Sequence, residues 1–133
     1  MIIEKAPPSA TELARFYSEA GWLKDPNIEE MQKAVDSPSE WFTARDMDSS
    51  LLGMGRIVTD YVRYAVIVDL IVRKSQQGQG IGTKIMEAIL EECRLLDIDS
   101  VNLWPSKGKV PFYERFGFYG LPADQPHMKL KKK

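Results

Sequence analysis

The sequence predicts an α/β domain in which a mixed sheet is packed against helices, an α+β arrangement. Short β-branched and aromatic segments dominate the middle of the chain, and segments with helical periodicity stand before and after them. The strongest predicted strand runs from Tyr64 to Arg73, because Val, Ile and Leu make it almost continuously apolar. Such a run is typical of a central strand that helices cover on both faces.

The chain begins with a short predicted strand over residues 2–5, which two prolines end. Ser9 or Thr11 is expected to cap a helix that runs to about Glu19, because short polar side chains at this position accept hydrogen bonds from free backbone N–H groups. Gly21 then ends this helix. The N-terminal part of the chain therefore supplies one strand and the first of the covering helices.

A second short helix is expected to open at Pro26-Asn27, and Pro38 forbids its extension. Two strands follow, one over Trp41 to Arg45 and one over Leu51 to Val58. The second of these strands contains two glycines, which weaken a strand but permit the close approach of another backbone.

After the central strand, a glycine-rich turn leads into a long helix that ends near Leu96, with apolar residues at intervals of three and four. A strand is expected within residues 97–103, and a short helix over Ser106 to Arg115. Two further short strands are expected, one near Phe118 and one over His127 to Leu130. The whole order is that of one mixed domain.

Composition places the chain among ordinary globular proteins. Its 133 residues predict a single domain over 1–133, and a net charge of −1 favours neither a nucleic-acid partner nor a membrane surface. The single cysteine excludes an intramolecular disulfide, and with one histidine a metal site is not expected. The N-terminus lacks the pattern of a secretory signal, so we expect a cytoplasmic protein.

The glycine-rich turn after the central strand is a candidate phosphate site, because the first N–H groups of a helix are free to bind an anion. The nucleotide-binding P-loop pattern fails here, since Thr83 stands where that pattern requires its second glycine. The dinucleotide-binding pattern Gly-x-Gly-x-x-Gly fails as well: from Gly78 its last position is again Thr83, and from Gly80 it is Ile85.

The remaining segment, Gln77-Gly78-Gln79-Gly80-Ile81-Gly82, resembles the Gln/Arg-x-x-Gly-x-Gly/Ala motif of the GCN5-related N-acetyltransferases. A second segment, Val110 to Phe118, is similar to the C-terminal motif of that family, in which an aromatic-Tyr pair precedes Gly-Phe. The two segments are separated by one predicted helix and one predicted strand, as in the family. The resemblance covers nearly the whole chain.

This resemblance implies a sheet with splayed central strands and acetyl-coenzyme A as the cosubstrate. The pantetheine arm is then expected to bind along the main chain of Leu70, Ile71 and Val72. The pyrophosphate is expected to meet the N–H groups from Gln77 through Gly78, Gln79, Gly80, Ile81 and Gly82 to Thr83. The expected activity is direct transfer of an acetyl group to an amine.

Two residues are candidates for catalysis. Tyr113 matches the family tyrosine that often protonates the leaving thiolate, and the alternative is a tyrosine that only packs beside Phe112. Asp69 interrupts the apolar central strand, and burial raises the pKa of a carboxyl group toward the range of a general base. The alternative for Asp69 is a structural carboxylate bonded to Arg56, Arg63 or a loop N–H.

The acceptor is expected to be a small-molecule amine. Aromatic side chains in the N-terminal half favour a cation with an apolar body, and the candidate contacts are Trp22, Trp41 and Tyr64. Residues 68–118 also resemble the serotonin-type N-acetyltransferases, which act on aralkylamines. Core packing of each aromatic is the alternative.

Two other functions remain open: acetylation of a protein or peptide amine, and non-catalytic sensing of acetyl-coenzyme A. A homodimer is also possible, since the expected last strand offers a pairing edge.

Overall fold

The fold is described by a computed structural model covering residues 1–132, and the predicted α/β class is confirmed. The strands are β1 (Ile2–Glu4), β2 (Glu40–Arg45), β3 (Leu51–Thr59), β4 (Tyr64–Val72) and β5 (Ser100–Leu103). The helices are α1 (Ala10–Glu19), α2 (Ile28–Asp36), α3 (Ile81–Leu95) and α4 (Val110–Glu114), and a 3₁₀ turn covers Lys74–Gln76. Within the described residues the strands form one sheet in the order β1-β2-β3-β4-β5. The chain divides into two compact units, residues 1–102 and the residues from Leu103 onward.

Helix α1 begins where the sequence predicts. Ser9 Oγ accepts the Glu12 N–H at 3.1 Å while Glu12 Oε1 accepts the Ser9 N–H at 2.9 Å, a complete capping box. The Glu12 carboxylate also accepts hydrogen bonds from both terminal nitrogens of Arg45, at 2.7 and 2.8 Å. These bonds connect α1 to β2. These contacts fix the position of α1 on the sheet.

The ion pair between Glu12 and Arg45 predicts a pH-dependent stability. Hydrogen bonds from Arg45, opposed by partial burial, lower the pKa of Glu12 from 4.5 to about 2. A carboxyl group whose pKa falls on folding stabilises the protein above its unfolded pKa, and that stability is lost as the pH falls toward the folded value.

We therefore expect Glu12→Gln, which can keep the capping box, to lower the free energy of unfolding at pH 7 by about 1–2 kcal/mol. The difference from wild type should shrink between pH 4.5 and pH 2, the interval set by the Glu12 pKa values, in urea unfolding measured across that range. Glu87→Gln, at an exposed position on α3, is the control. A pH-independent difference would contradict the assignment.

The sheet is covered on both faces within the first unit. Helices α1 and α2 share a hydrophobic cluster with residues from β2, β3 and β4, including Trp41, Met54 and Ile71. Helix α3 packs on the opposite face, where a Cβ on Gly55 would lie 2.8 Å from Ile89 Cδ1. The close approach expected at the β3 glycines is thus made here by an isoleucine side chain of α3.

Strand β4 is less completely buried than its sequence predicts. Ala65, Ile67 and Ile71 are buried, but Val66 and Val68 are only half-buried. The expected burial on both faces was therefore wrong for part of the strand.

A β-bulge interrupts the pairing of β3 with β4. Met54 pairs with Ile71 and Arg56 with Val68, so two residues of β4 lie opposite one residue of β3. Asp69 is in this bulge and has a positive φ of 58°, which Asp tolerates better than most residues. Strict alternation after Val68 would turn the Asp69 side chain toward α3, whereas the bulge turns it toward Arg56.

In the second unit, the short helix was predicted too long and the two final strands were wrong. Residues 106–109 form a turn in which Gly108 has φ 81°, so α4 begins at Val110. The segments near Phe118 and over residues 127–130 have no regular structure. Pro122 and Pro126 stand between and beside them, and a proline cannot donate to a strand ladder.

The described residues contain neither a candidate membrane span nor a candidate metal cluster. Among the described residues, no helix combines the length and the apolar character needed to cross a bilayer. Within residues 1–132, no three His, Cys, Asp or Glu side chains are grouped so that they could hold a metal ion.

Candidate functional site

The loop that leaves β4 is held by a small set of hydrogen bonds. The Arg73 N–H donates to the Leu52 carbonyl at 2.9 Å, and Gln77 Nε2 donates to the Val72 carbonyl at 3.1 Å. The chain then passes through Gly78 and Gly80, whose φ values are 79° and 83°. Only glycine adopts these angles without strain, so the two glycines are required by conformation.

The geometry of this loop suits a phosphate group. Helix α3 spans 15 residues and starts directly after Gly80, and its first N–H groups lack partners within the helix. A Cβ at Gly78 or Gly80 would meet nothing within 4 Å, so a ligand can approach the backbone there. Residues 77–80 are exposed. The loop predicted from the sequence therefore fits the pyrophosphate of acetyl-coenzyme A.

A cluster of polar side chains surrounds the β4 bulge. Asp69 Oδ2 lies 2.9 Å from Arg56 Nη2, and both side chains are more than four-fifths buried, with exposed fractions of 12% and 16%. The Tyr17 hydroxyl donates a hydrogen bond to the same oxygen, at 2.6 Å. The two donors compensate the burial of the carboxylate charge. Neither contact engages Oδ1, the other oxygen of Asp69.

Tyr17 is held in its neutral form. Burial, and then the hydrogen bond to Asp69, raise the pKa of Tyr17 well above its usual value. The phenol therefore remains a proton donor to Asp69 at any pH near neutrality. Tyr17 could not be identified as a site residue from the sequence, because its place in the apolar stripe of α1 gives no sign of a partner 52 positions further along the chain.

Arg56 connects Asp69 to Trp41. The guanidinium carbon of Arg56 lies 4.5 Å from the centre of the Trp41 ring, a cation–π contact that covers one face of the indole. Trp41 is 3% exposed and belongs to the hydrophobic core. The structure thus favours the core-packing alternative for Trp41, and it shows Asp69 paired with Arg56, one of the structural partners considered for it.

The other two aromatic candidates lie at different places in the first unit. Trp22 is 47% exposed, and its ring centre is 5.8 Å from that of Tyr17, so it stands beside the Asp69 cluster. Tyr64 is at the start of β4, about 17 Å along the strand from Asp69 at the usual rise per residue. Arg63, another candidate partner of Asp69, instead lies over the Tyr64 ring at 4.9 Å. Only Trp22 joins the cluster as an exposed ring.

Tyr113 belongs to the second unit, where it lies on α4. Its ring meets those of Phe112 and Phe118 edge to face, with centres 5.1 and 6.2 Å away. Burial raises the pKa of Tyr113, so its phenol is neutral near pH 7. The residue therefore packs beside Phe112, as one alternative stated, and it also carries the proton that the other alternative requires.

The chain is similar to known proteins in sequence and in fold. A family model described as an acetyltransferase (GNAT) domain matches residues 13–127. A probable acetyltransferase of unknown function from methicillin-resistant Staphylococcus aureus has a similar structure, with a TM-score of 0.85 and 27% identity, and the match covers 98% of each chain.

Two curated relatives are similar over part of their length. An uncharacterized N-acetyltransferase ycf52 of Gracilaria tenuistipitata var. liui is 27% identical over 114 residues, which are 84% of this chain and 62% of the relative. Serotonin N-acetyltransferase 2, chloroplastic, of Oryza sativa subsp. japonica is 31% identical over 94 residues, 68% of this chain and 46% of the relative. The chain thus spans less than two thirds of the length of either relative.

Proposed function

The chain belongs to the GNAT acetyltransferase family, and from that premise we propose that it transfers the acetyl group of acetyl-coenzyme A to a primary amine of a small molecule. One observation carries the proposal: a strand with a bulge leads into a loop of two positive-φ glycines and then into a long helix. This arrangement offers main-chain groups to an extended arm and free N–H groups to a phosphate. The same strand presents a carboxylate beside an exposed indole.

Binding of the cosubstrate is assigned to the main chain. Leu70, Ile71 and Val72 would pair with the amide groups of the pantetheine arm, and the N–H groups from Gln77 to Thr83 would meet the pyrophosphate. Acetyl-coenzyme A, when bound, supplies an activated acyl group as a thioester. The chain positions that group and moves the protons.

Asp69 is assigned to the acceptor amine. An alkylammonium has a pKa of about 10 and must lose a proton before it can attack a carbonyl carbon. Asp69 Oδ1 can accept a hydrogen bond from the amine and take its proton directly or through water, because both protein donors bind Oδ2. The exposed face of Trp22 would hold the cation and its apolar body.

Tyr113 is assigned to the leaving group. A thiolate leaves more readily when an acid gives it a proton. The Tyr113 phenol keeps its proton at neutral pH, since burial raises its pKa. Phe112 and Phe118 contact its ring edge to face.

An aralkylamine is the acceptor class that these contacts favour. Trp22 offers a ring for stacking next to a carboxylate, and the name of the rice relative includes serotonin, itself an aralkylamine. Trp41 and Tyr64 are left out of the proposed pocket, because the first is covered by Arg56 and the second lies far along β4. A peptide acceptor or a sensor without turnover would need other contacts.

Thiol release from acetyl-coenzyme A over a panel of amines tests the proposal. Aralkylamines should react faster than polyamines, amino sugars, amino acids and short peptides. Turnover with peptides alone would favour a protein acetyltransferase, and coenzyme A binding without turnover would favour a sensor. Either result would reject the proposed activity.

Trp22→Leu tests the acceptor site within the same assay. Losing a cation–π contact of about 1 kcal/mol should raise KM for the aralkylamine about fivefold and leave kcat almost unchanged. Trp104→Leu is the matched control, because Trp104 is 55% exposed and Trp22 47%. Equal effects of the two substitutions would remove Trp22 from the site.

A further inference from the structure

We propose that Glu19 is a positioning residue for the phosphate-binding loop, an inference that rests on the proposed function. Glu19 is the last residue of α1, and its Oε1 accepts the N–H of Lys74 at 2.8 Å. Lys74 is the first residue of the 3₁₀ turn that leads from β4 into the glycines. The contact joins residues 55 positions apart in the sequence.

The Glu19 contact differs in origin from the other hydrogen bonds of this segment. Arg73 is bonded to the neighbouring strand, while the bonds from Gln76 to Arg73 and from Gln77 to Val72 are local. These bonds connect the turn only to the strands and to itself. The bond from α1 adds a restraint from a separate helix, because its acceptor is Glu19.

The negative charge of Glu19 has an electrostatic cost beside a loop that binds an anion. A carboxylate bonded to Lys74, just before an anion-binding loop, repels the phosphate that the loop would bind. Its hydrogen bond to Lys74, however, satisfies an N–H group and fixes the turn, so that the N–H groups from Gly78 onward keep one direction. The fixed direction of these N–H groups is expected to favour phosphate binding. It thus opposes the repulsion between the Glu19 carboxylate and the phosphate.

The last turn of α1 holds two parts of the site at once. Tyr17 binds the carboxylate of Asp69, and Glu19 binds the backbone of the loop two residues later in the helix. Removing the Glu19 contact leaves the Tyr17 contact in place. The effect of a substitution at Glu19 should therefore be confined to ligands that carry phosphates.

Calorimetric binding of coenzyme A and of pantetheine, which lacks the pyrophosphate, tests this inference. Glu19→Ala should weaken coenzyme A binding about tenfold, the loss of one charge-assisted hydrogen bond, and leave pantetheine binding unchanged. Glu19→Gln keeps an acceptor oxygen and should restore affinity to within about twofold of wild type. In the transfer assay, Glu19→Ala should raise KM for acetyl-coenzyme A but not for acetyl-pantetheine.

The controls separate this inference from the proposed function. Glu30→Ala, at an exposed position on α2, should change neither affinity. If wild type fails to bind coenzyme A, the proposed function fails. If wild type binds it and Glu19→Ala binds it equally well, or loses affinity for both ligands alike, only the role of Glu19 is overturned.

Discussion

Replacing Tyr113 by phenylalanine is expected to lower kcat about 100-fold, within the usual contribution of a general acid, while the Kd for coenzyme A changes less than about twofold. The substitution removes the proton that the leaving thiolate would receive. It keeps the ring, so the edge-to-face contacts with Phe112 and Phe118 persist. Steady-state thiol release at saturating substrates measures kcat, and calorimetry measures the affinity.

Tyr119→Phe is the matched control for this prediction. Tyr119 lies in the same unit but is 81% exposed, so loss of its hydroxyl should leave kcat unchanged. An unaltered kcat in Tyr113→Phe would remove its catalytic role. A parallel loss of coenzyme A affinity would assign Tyr113 to binding instead.

Local signals explain why most of the fold could be predicted from the sequence. Ser9 and Asn27 cap α1 and α2 with side-chain oxygens, and both positions can be recognised from a few neighbouring residues. The spacing of Ile81, Ile85 and Ile89 likewise indicates which face of α3 is buried. Such features depend on neighbours within one or two helical turns, so a single sequence contains them.

The conformation of the loop between β4 and α3 was also predictable, because its requirements are local. Gly78 and Gly80 adopt backbone angles that other residues reach only with strain, and the helix follows at once. The bulge at Asp69 could not be predicted in the same way. It depends on the register between β3 and β4, and nothing in the strand sequence states which residue is left unpaired.

The cluster around Asp69 shows the same limit for side chains. Tyr17 and Arg56 come from different elements, and each has an ordinary local role, in an apolar helix stripe and in a strand. Trp41 has the aromatic side chain expected in an amine pocket, but its position under Arg56 makes it part of the core. Residue type indicated the chemistry, whereas tertiary packing decided which side chains meet.

Arg56→Met is expected to lower the free energy of unfolding by about 3 kcal/mol, because it leaves a mostly buried carboxylate without its cation. Of the two partners described for Asp69, Tyr17 would remain, and a neutral donor compensates the charge only in part. Urea unfolding at pH 7 measures the change as a shift of the midpoint at constant slope. Arg94→Met is the control, since Arg94 forms an ion pair with Glu91 at the surface and should unfold almost as wild type does.

The double variant Arg56→Met/Asp69→Asn decides whether the charge or the packing of Arg56 causes the loss. Asn tolerates the positive φ at position 69 and carries no charge, so the double variant should be more stable than Arg56→Met alone. It also lacks the buried Nε of Arg56, which has no hydrogen-bond partner within residues 1–132. If the loss of stability in the double variant equals the sum of the losses in Arg56→Met and in Asp69→Asn, Arg56 acts through its contact with Trp41 rather than through Asp69.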